Sequence, residues 1–414
     1  MTNRFKLNTQ YPWGMLASIY ITQYIGVAFI LSAAVAILRQ QGVALDKLAL
    51  LNLAVLPLMG KVLYAPLIDK YRLSLHGKYR SWLIMAQTGM ALLLAVAGSM
   101  DFQHQFTWII AILALYAFCM SVQDVAIDGL SCKLFAPEAR KLASSIQFSG
   151  NLLGNIIGGG LILMFYPWLD WQGSLWLLAG LTCISLLQIT LFTEPEDIPS
   201  NKAHSTEPRH LLQDIKRFIT EQKYWLFILA LYPIGSTCGF ALLNPLLIDS
   251  GWALGDVGFA VKIFGSAVGL CAALLATPLI TRFGRVHAFI GVLFIQVLAL
   301  LLMIPLTLGF TGKLMVYTAI TLHFISFPAL LVVSSTIIMD KAAQTLHKAT
   351  FFTLQFSFAS LLGFIYSSIS MAMAKHIGYS AVVIAGIVIS FSIALFISFI
   401  LKRVITISEP VNIQ

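Results

Sequence analysis

Charge is what this chain has least of. Asp, Glu, Lys and Arg together make up 10% of its 414 residues, where a soluble domain carries about a quarter. So few charges cannot coat a globular surface. With 59% hydrophobic residues and a mean hydropathy of +0.87, the class that fits is a polytopic membrane protein. Acids are scarcer than bases, 17 against 26, for a net charge of +9. The bases fall in short loops between apolar runs instead of on one soluble face. That excludes nucleic acid as a partner. Cysteine is also scarce: five residues, none in a Cys-x-x-Cys pair. An odd number lying in or at the ends of apolar segments excludes a disulfide framework and a zinc centre; small apolar packing accounts for them. There is no Walker loop, His-Glu-x-x-His or nucleophile elbow, so no enzyme, cofactor or metal site is assigned.

What is present is a series of apolar runs of about 20 residues or more, each long enough to cross a bilayer. The first half contains Tyr11–Leu38, Asp46–Ile68, Ser81–Met100, Phe106–Lys133, Ala139–Tyr166 and Trp171–Phe192. The second contains Tyr224–Ile248, Leu254–Ile280, His287–Leu308, Leu314–Asp340, Thr345–Ala374 and Tyr379–Leu401. The run after Arg4 and Lys6 is too long for a signal-peptide core and is taken as the first span. The longest polar stretch, Glu194 to Lys223, reads as a linker ending in an amphipathic piece with Leu211, Leu212, Ile215, Phe218 and Ile219. The expected organisation is a six-helix bundle over 1–193, a linker over 194–223 and a second bundle over 224–414.

Loop charge predicts orientation. One set of loops holds Lys70, Arg72, Lys78 and Arg80; Lys133, Arg140 and Lys141; Lys202, Arg209, Lys216 and Arg217; Arg282 and Arg285; Lys341 and Lys348. Both termini join this set through Arg4, Lys6, Lys402 and Arg403, while the alternate loops 101–105, 167–170 and 249–254 carry no Lys or Arg. Excess Lys and Arg marks the cytoplasmic side, so the linker and both termini are expected there. The halves also repeat. Pro66-Leu67-Ile68-Asp69-Lys70-Tyr71 recurs as Pro278-Leu279-Ile280-Thr281-Arg282-Phe283, Asp128 falls on Asp340, Arg140 on Lys348, and Gln147-Phe148-Ser149 on Gln355-Phe356-Ser357. A duplication of this kind places a substrate site near the midplane.

Chemistry centres on Gln123-Asp124-Val125-Ala126-Ile127-Asp128 in the fourth span. Two carboxylates four residues apart share a helix face, and each charge in a span costs at least ~2.5–3.5 kcal/mol unless it is compensated. Asp124 lies nine residues from Lys133, and Lys61 lies eight from Asp69; at about 1.5 Å per residue both are some 12–13 Å deep. Matched depth makes them partners. Two readings stand: a static pair that fixes helix packing, or a proton-exchanging Asp124 with Lys61 competing for it or holding an anionic substrate. Asp128 has two expected places: on the proton or substrate pathway with Lys61 and Asp124, or in a cytoplasmic gate with Arg140, Lys141 or Lys348, repeated by Asp340, with Asp69 and Arg80 forming a similar latch. Gln23, Gln147 and Asn151 are the candidates for hydrogen bonds to substrate, against ordinary interhelical bonding. Lys262 either snorkels to the outer surface or draws in an anion. His323 is a possible proton carrier or a packed histidine. Gly150-x-x-x-Gly154-x-x-x-Gly158 and Gly265-x-x-x-Gly269 should let backbones approach closely, across the interface between the halves.

Twelve spans, a two-fold repeat and the loop Arg282-Phe283-Gly284-Arg285 resemble the major facilitator superfamily. The first copy departs from the family's loop signature, with Ala65 in place of its glycine and the basic part displaced to His76-Gly77-Lys78-Tyr79-Arg80. Leu56-Pro57, Lys61, Ala65-Pro66-Leu67-Ile68-Asp69 and Gln123-Asp124 with Asp128 are similar to the muropeptide-permease branch. Ala36-Ile37-Leu38-Arg39, Tyr79-Arg80-Ser81-Trp82 and Asp128-Gly129-Leu130 look more like the related siderophore permeases. The resemblance implies an all-α membrane protein of twelve transmembrane helices in two six-helix pseudo-repeats. It implies a monomeric, proton-coupled importer of the bacterial inner membrane working by alternating access, with both termini cytoplasmic. The expected substrate is a ferric siderophore, and the alternative an anhydro-muropeptide; protons and membrane lipid are the other expected partners.

Overall fold

The computed structural model describes residues 12–40, 54–58, 60–73, 77–101, 104–195 and 208–406. Arg4, Lys6, Asn52, Lys202 and the first part of the expected Asp46–Ile68 span lie outside them. The described residues are helical apart from short connections, as a bilayer requires: with no water in its core, each backbone N–H and C=O must be satisfied inside its own segment.

Nine helical stretches among the described residues are long and apolar enough to cross a membrane. Two of them are too long for one crossing. Pro137–Leu191 has 55 residues and Asp256–Thr307 has 52, about 80 Å each at 1.5 Å per residue, against a hydrocarbon core of about 30 Å. Each folds back at a residue with a left-handed backbone: Asp170, φ 51°, in the first and Gly284, φ 76°, in the second. Gly378, φ 81°, makes the same kind of turn inside Lys348–Thr406, two residues into the stretch His376–Phe399. Glycine takes this conformation without a Cβ penalty, whereas at Asp170, with ψ −169°, it is strained. Counting the two long stretches twice gives eleven crossings. The remaining expected span is described from Ala54, with a 3-10 turn at Leu56–Leu58 and a helix at Lys61–Lys70.

The chain forms two compact units, Met1–Ala203 with Met339–Thr353, and His204–Ile338 with Leu354–Gln414. The C-terminal end of the tenth span and the start of the eleventh thus group with the first unit, whereas the sequence repeat allots them to the second bundle. In the first unit Ile25, Phe29, Ile30, Met90, Leu94, Leu113, Trp171 and Leu175 belong to one core. In the second, Leu242, Leu246, Ala260, Val316, Ile320 and Val382 do.

Glycine brings the first and fifth spans of the first unit together. A Cβ on Gly154 would meet Tyr24 Cβ and the Ile21 carbonyl, and one on Gly158 would meet the Ile25 carbonyl. The fifth span turns π-helical at Ile156–Leu161, and the first does so at Phe29–Ala33. The first of the two glycine stripes therefore packs helix on helix, but inside the first unit instead of across the interface between the halves. In the second stripe Gly265 lies under the ring of Phe324.

Candidate functional site

The Phe106–Leu134 helix is buried without a break from Met120 to Cys132, and its two carboxylates point into the first unit. Lys61, the first residue of the Lys61–Lys70 helix, donates from Nζ to Asp124 Oδ2 at 2.6 Å. Gln23 Nε2 donates to the other oxygen, Oδ1, at 2.7 Å. Both Asp124 oxygens are therefore engaged, one by a cation and one by an amide. Gln123 Nε2 donates to the Ile19 carbonyl at 2.9 Å, tying the same turn to the first helix. The Tyr64 and Ser121 hydroxyls meet each other, and both lie 3.1 Å from the Pro57 carbonyl oxygen. These contacts hold the chain just before Lys61 against the fourth span.

Asp128 leaves one of its two expected places, the gate. The sequence repeat sets it at the cytoplasmic mouth opposite Arg140, Lys141 or Lys348. It is 1% exposed, and its hydrogen-bond partners among the described residues are Tyr20 Oη at 2.9 Å and Gln147 Nε2 at 3.1 Å. The reason is helical register. One turn beyond Asp124, Asp128 must share its inward face, so it belongs to the same buried cluster as Asp124. Gln23 and Gln147, expected to face substrate, each bind one carboxylate. Gln23 retains a buried carbonyl oxygen without a partner among the described residues, as does Asn151.

The residues expected at the cytoplasmic mouth separate from that cluster. Arg140 Nη1 bonds Asp340 Oδ1 at 2.9 Å. Asp69 accepts from Tyr79 Oη at 2.6 Å, from the Thr350 backbone N–H at 2.6 Å, from the Thr350 hydroxyl at 2.7 Å and from the Ala349 N–H at 3.3 Å. Lys78 Nζ lies 4.0 Å away. Asp69 thereby caps a helix that begins at Lys348, satisfying N–H groups that have no intrahelical acceptor and facing the positive end of the dipole. Lys348 itself is half-buried.

Arg80, expected beside Asp69, donates from Nε to the Ile189 carbonyl at 3.1 Å and from Nη2 to the Thr190 carbonyl at 2.6 Å. It thus closes the end of the sixth span. The neighbouring acid is Glu194, which sequence reasoning missed. Buried at the start of the linker, it accepts from Lys133 Nζ at 2.8 Å and from the Arg80 backbone N–H at 2.8 Å. Gly77, φ 119°, passes under it where a Cβ would lie 2.7 Å from Glu194 Oε2. The available signal was an acid closing an apolar run among basic loops. Tyr20, Tyr79 and Thr350 were missed as well; nothing in their spacing marks them.

Lys262 and His323 sit in the second unit. Lys262 is exposed on the π-helical turn Phe259–Phe264. His323 is 8% exposed and stacks on Phe240 at 4.6 Å and Phe327 at 5.7 Å, with Nε2 buried and without a hydrogen-bond partner among the described residues. No cluster of three or more His, Cys, Asp and Glu that could hold a metal occurs among the described residues.

Comparison with known proteins gives three results. The family model of the Major Facilitator Superfamily matches residues 16–365. The anhydromuropeptide permease of Escherichia coli (strain K12) is 30% identical over 235 residues, 56% of this chain and 47% of that protein, so the match spans about half the length of that relative. A putative transporter AmpG 3 of Rickettsia typhi is 25% identical over 350 residues, 80% of this chain and 82% of that one. Among solved structures, the human organic anion transporter MFSD10 (TETRAN) superposes with a TM-score of 0.68 at 13% identity, covering 93% of this chain and 98% of that one. A structure of the Escherichia coli fucose:proton symporter FucP also gives 0.68, at 14% identity, covering 94% and 98%. At such identities these two show the fold alone.

Proposed function

The chain belongs to the Major Facilitator Superfamily, and from that premise we propose that it is a proton-coupled importer of anhydro-muropeptides. The family and fold are those of transporters, and the chain is a multi-pass membrane protein. The observation that carries the proposal is the buried cluster of Lys61, Asp124 and Asp128. Two acids share one lysine near mid-span, and a proton is the simplest charge that balances the remainder. Membrane-embedded ionisable groups of this kind mark proton and substrate pathways. Protonation and release at the acids would exchange hydrogen bonds among Gln23, Tyr20, Gln147 and Lys61, linking proton occupancy to the helices that carry them. Substrate bound beside Gln23 and Asn151 would feel that change directly.

The substrate class follows the relatives. They support the anhydro-muropeptide reading over the ferric-siderophore one expected from sequence. An anhydro-muropeptide offers hydroxyl and amide N–H donors to the free carbonyl oxygens of Gln23 and Asn151, and carboxylates to Lys61. The bacterial inner membrane, cytoplasmic termini, a monomeric state and alternating access belong to the same proposal.

The test is uptake in a strain lacking its own muropeptide permease. Radiolabelled anhydro-disaccharide-peptide should accumulate unchanged inside the cells, and a protonophore should abolish the accumulation. Accumulation of a labelled ferric chelate instead would return the siderophore reading; uptake of either compound that ignores the protonophore would remove proton coupling.

A further inference from the structure

The Pro208–Glu221 helix precedes the seventh span and plays no part in the charged cluster. Its apolar residues divide between two directions. Phe218 is buried and Leu211 and Ile215 are half-buried, so they face the protein, whereas Leu212 is 69% exposed and Ile219 48%. Leu212 and Ile219 are seven residues apart and so lie within about 20° of each other around the helix. Lys216, also exposed, falls between them in sequence and about 40–60° to the side. Gln213 and Thr220, both exposed, lie some 80–120° beyond the apolar edge.

One residue, Gln222, separates this helix from Lys223–Leu231, where the membrane span begins. Lys223 stands over the ring of Tyr224, 5.2 Å from its centroid, and Tyr224 and Phe227 are exposed on the span's outer side. The exposed apolar edge of the helix is therefore continuous in sequence with a lipid-facing surface and is flanked by Lys216 and Lys223. Arg217 on the far side is held by Glu221 at 2.6 Å. An aqueous linker would have no reason to expose a leucine and an isoleucine in register beside lysines. A helix lying in the headgroup layer would.

We propose that Pro208–Glu221 is an interfacial helix that sinks Leu212 and Ile219 among the acyl chains and binds anionic phospholipid headgroups through Lys216 and Lys223. The partner is the bilayer surface itself, and the helix fixes the linker's exit at the level where the seventh span enters lipid.

The experiment uses the full chain reconstituted in vesicles of phosphatidylcholine, or of equal parts phosphatidylcholine and phosphatidylglycerol. A benzoylphenylalanine photo-cross-linker replaces Leu212, Ile219, Gln213 or Thr220, one at a time. Adducts to lipid are expected at 212 and 219 and several-fold fewer at 213 and 220, with phosphatidylglycerol favoured over phosphatidylcholine in the mixed vesicles. Lys216→Gln and Lys223→Gln should each reduce that preference about fivefold, from about 1 kcal/mol per basic residue at an anionic surface, while adducts in pure phosphatidylcholine persist. Equal labelling at all four positions, or adducts at 212 to protein instead of lipid, would overturn the proposal. So would a missing preference for phosphatidylglycerol.

Discussion

Lys61 and Asp124 meet at 2.6 Å with side chains at most 10% exposed, and that fact dictates how their variants should behave. Removing one member of a buried pair leaves an uncompensated charge, at about 3–5 kcal/mol. Replacing both by apolar residues removes the desolvation penalty with the charge. Asp124→Asn is therefore expected to abolish gradient-driven uptake and to lower the thermal midpoint of purified protein. Lys61→Met with Asp124→Leu should recover most of the midpoint and none of the transport. Normal accumulation by Asp124→Asn would show that Asp124 does not carry the proton. The juxtaposition of these two residues could be read from sequence because helical rise converts residue number into depth. The partners of Asp128 could not. Depth says nothing of which neighbouring helix a side chain meets, and Tyr20 carries no pattern that singles it out among 13 tyrosines.

At the scale of helices, the glycines sort by what surrounds them. A Cβ on Gly158 would collide with the backbone of Ile25, which cannot rotate away, whereas one on Gly160, two residues along the same π-helical turn, would meet nothing within 4 Å. Gly158→Ala is expected to cost about 1–3 kcal/mol through overpacking and Gly160→Ala to be near neutral, measured as the shift in thermal midpoint. Equal effects would mean that the first and fifth spans are not in this contact. Spacing alone pointed to the stripe and set Gly160 off it, because a four-residue repeat on a helix is one face, but it could not name Ile25 as the backbone that Gly158 meets. The cap at Asp69 behaves likewise. Thr350→Val removes one bond to a carboxylate that keeps the two backbone N–H donors, about 1.5–3 kcal/mol for a hydrogen bond to a charged group. Asp69→Ala removes every bond of the cap and should cost more. Added to Asp69→Ala, Thr350→Val should then cost almost nothing, because its partner is already gone. Additive losses would place the hydroxyl outside the cap.

Over the whole molecule, the bilayer made the topology legible: apolar runs had to be near 20 residues, and Lys and Arg had to collect on one side. The sequence repeat did not show that Met339–Thr353 groups with the first unit, because that grouping depends on Asp69 and Arg140 reaching Thr350 and Asp340 across a long separation in the chain. The two double crossings, which turn at Asp170 and Gly284, make the topology testable. With native cysteines replaced by serine, His104→Cys, Glu221→Cys, Gly312→Cys and Gln344→Cys place single thiols at four exposed positions between crossings. Three crossings separate 104 from 221, three separate 221 from 312, and one separates 312 from 344. A membrane-impermeant maleimide should therefore label positions 104 and 312 in intact spheroplasts, and positions 221 and 344 only after permeabilisation. If Pro137–Leu191 crossed once, 104 and 221 would label together; if Asp256–Thr307 crossed once, 221 and 312 would. Reversal of the whole pattern would instead keep every crossing and invert the orientation, setting the basic loops outside against the charge rule that predicts them inside.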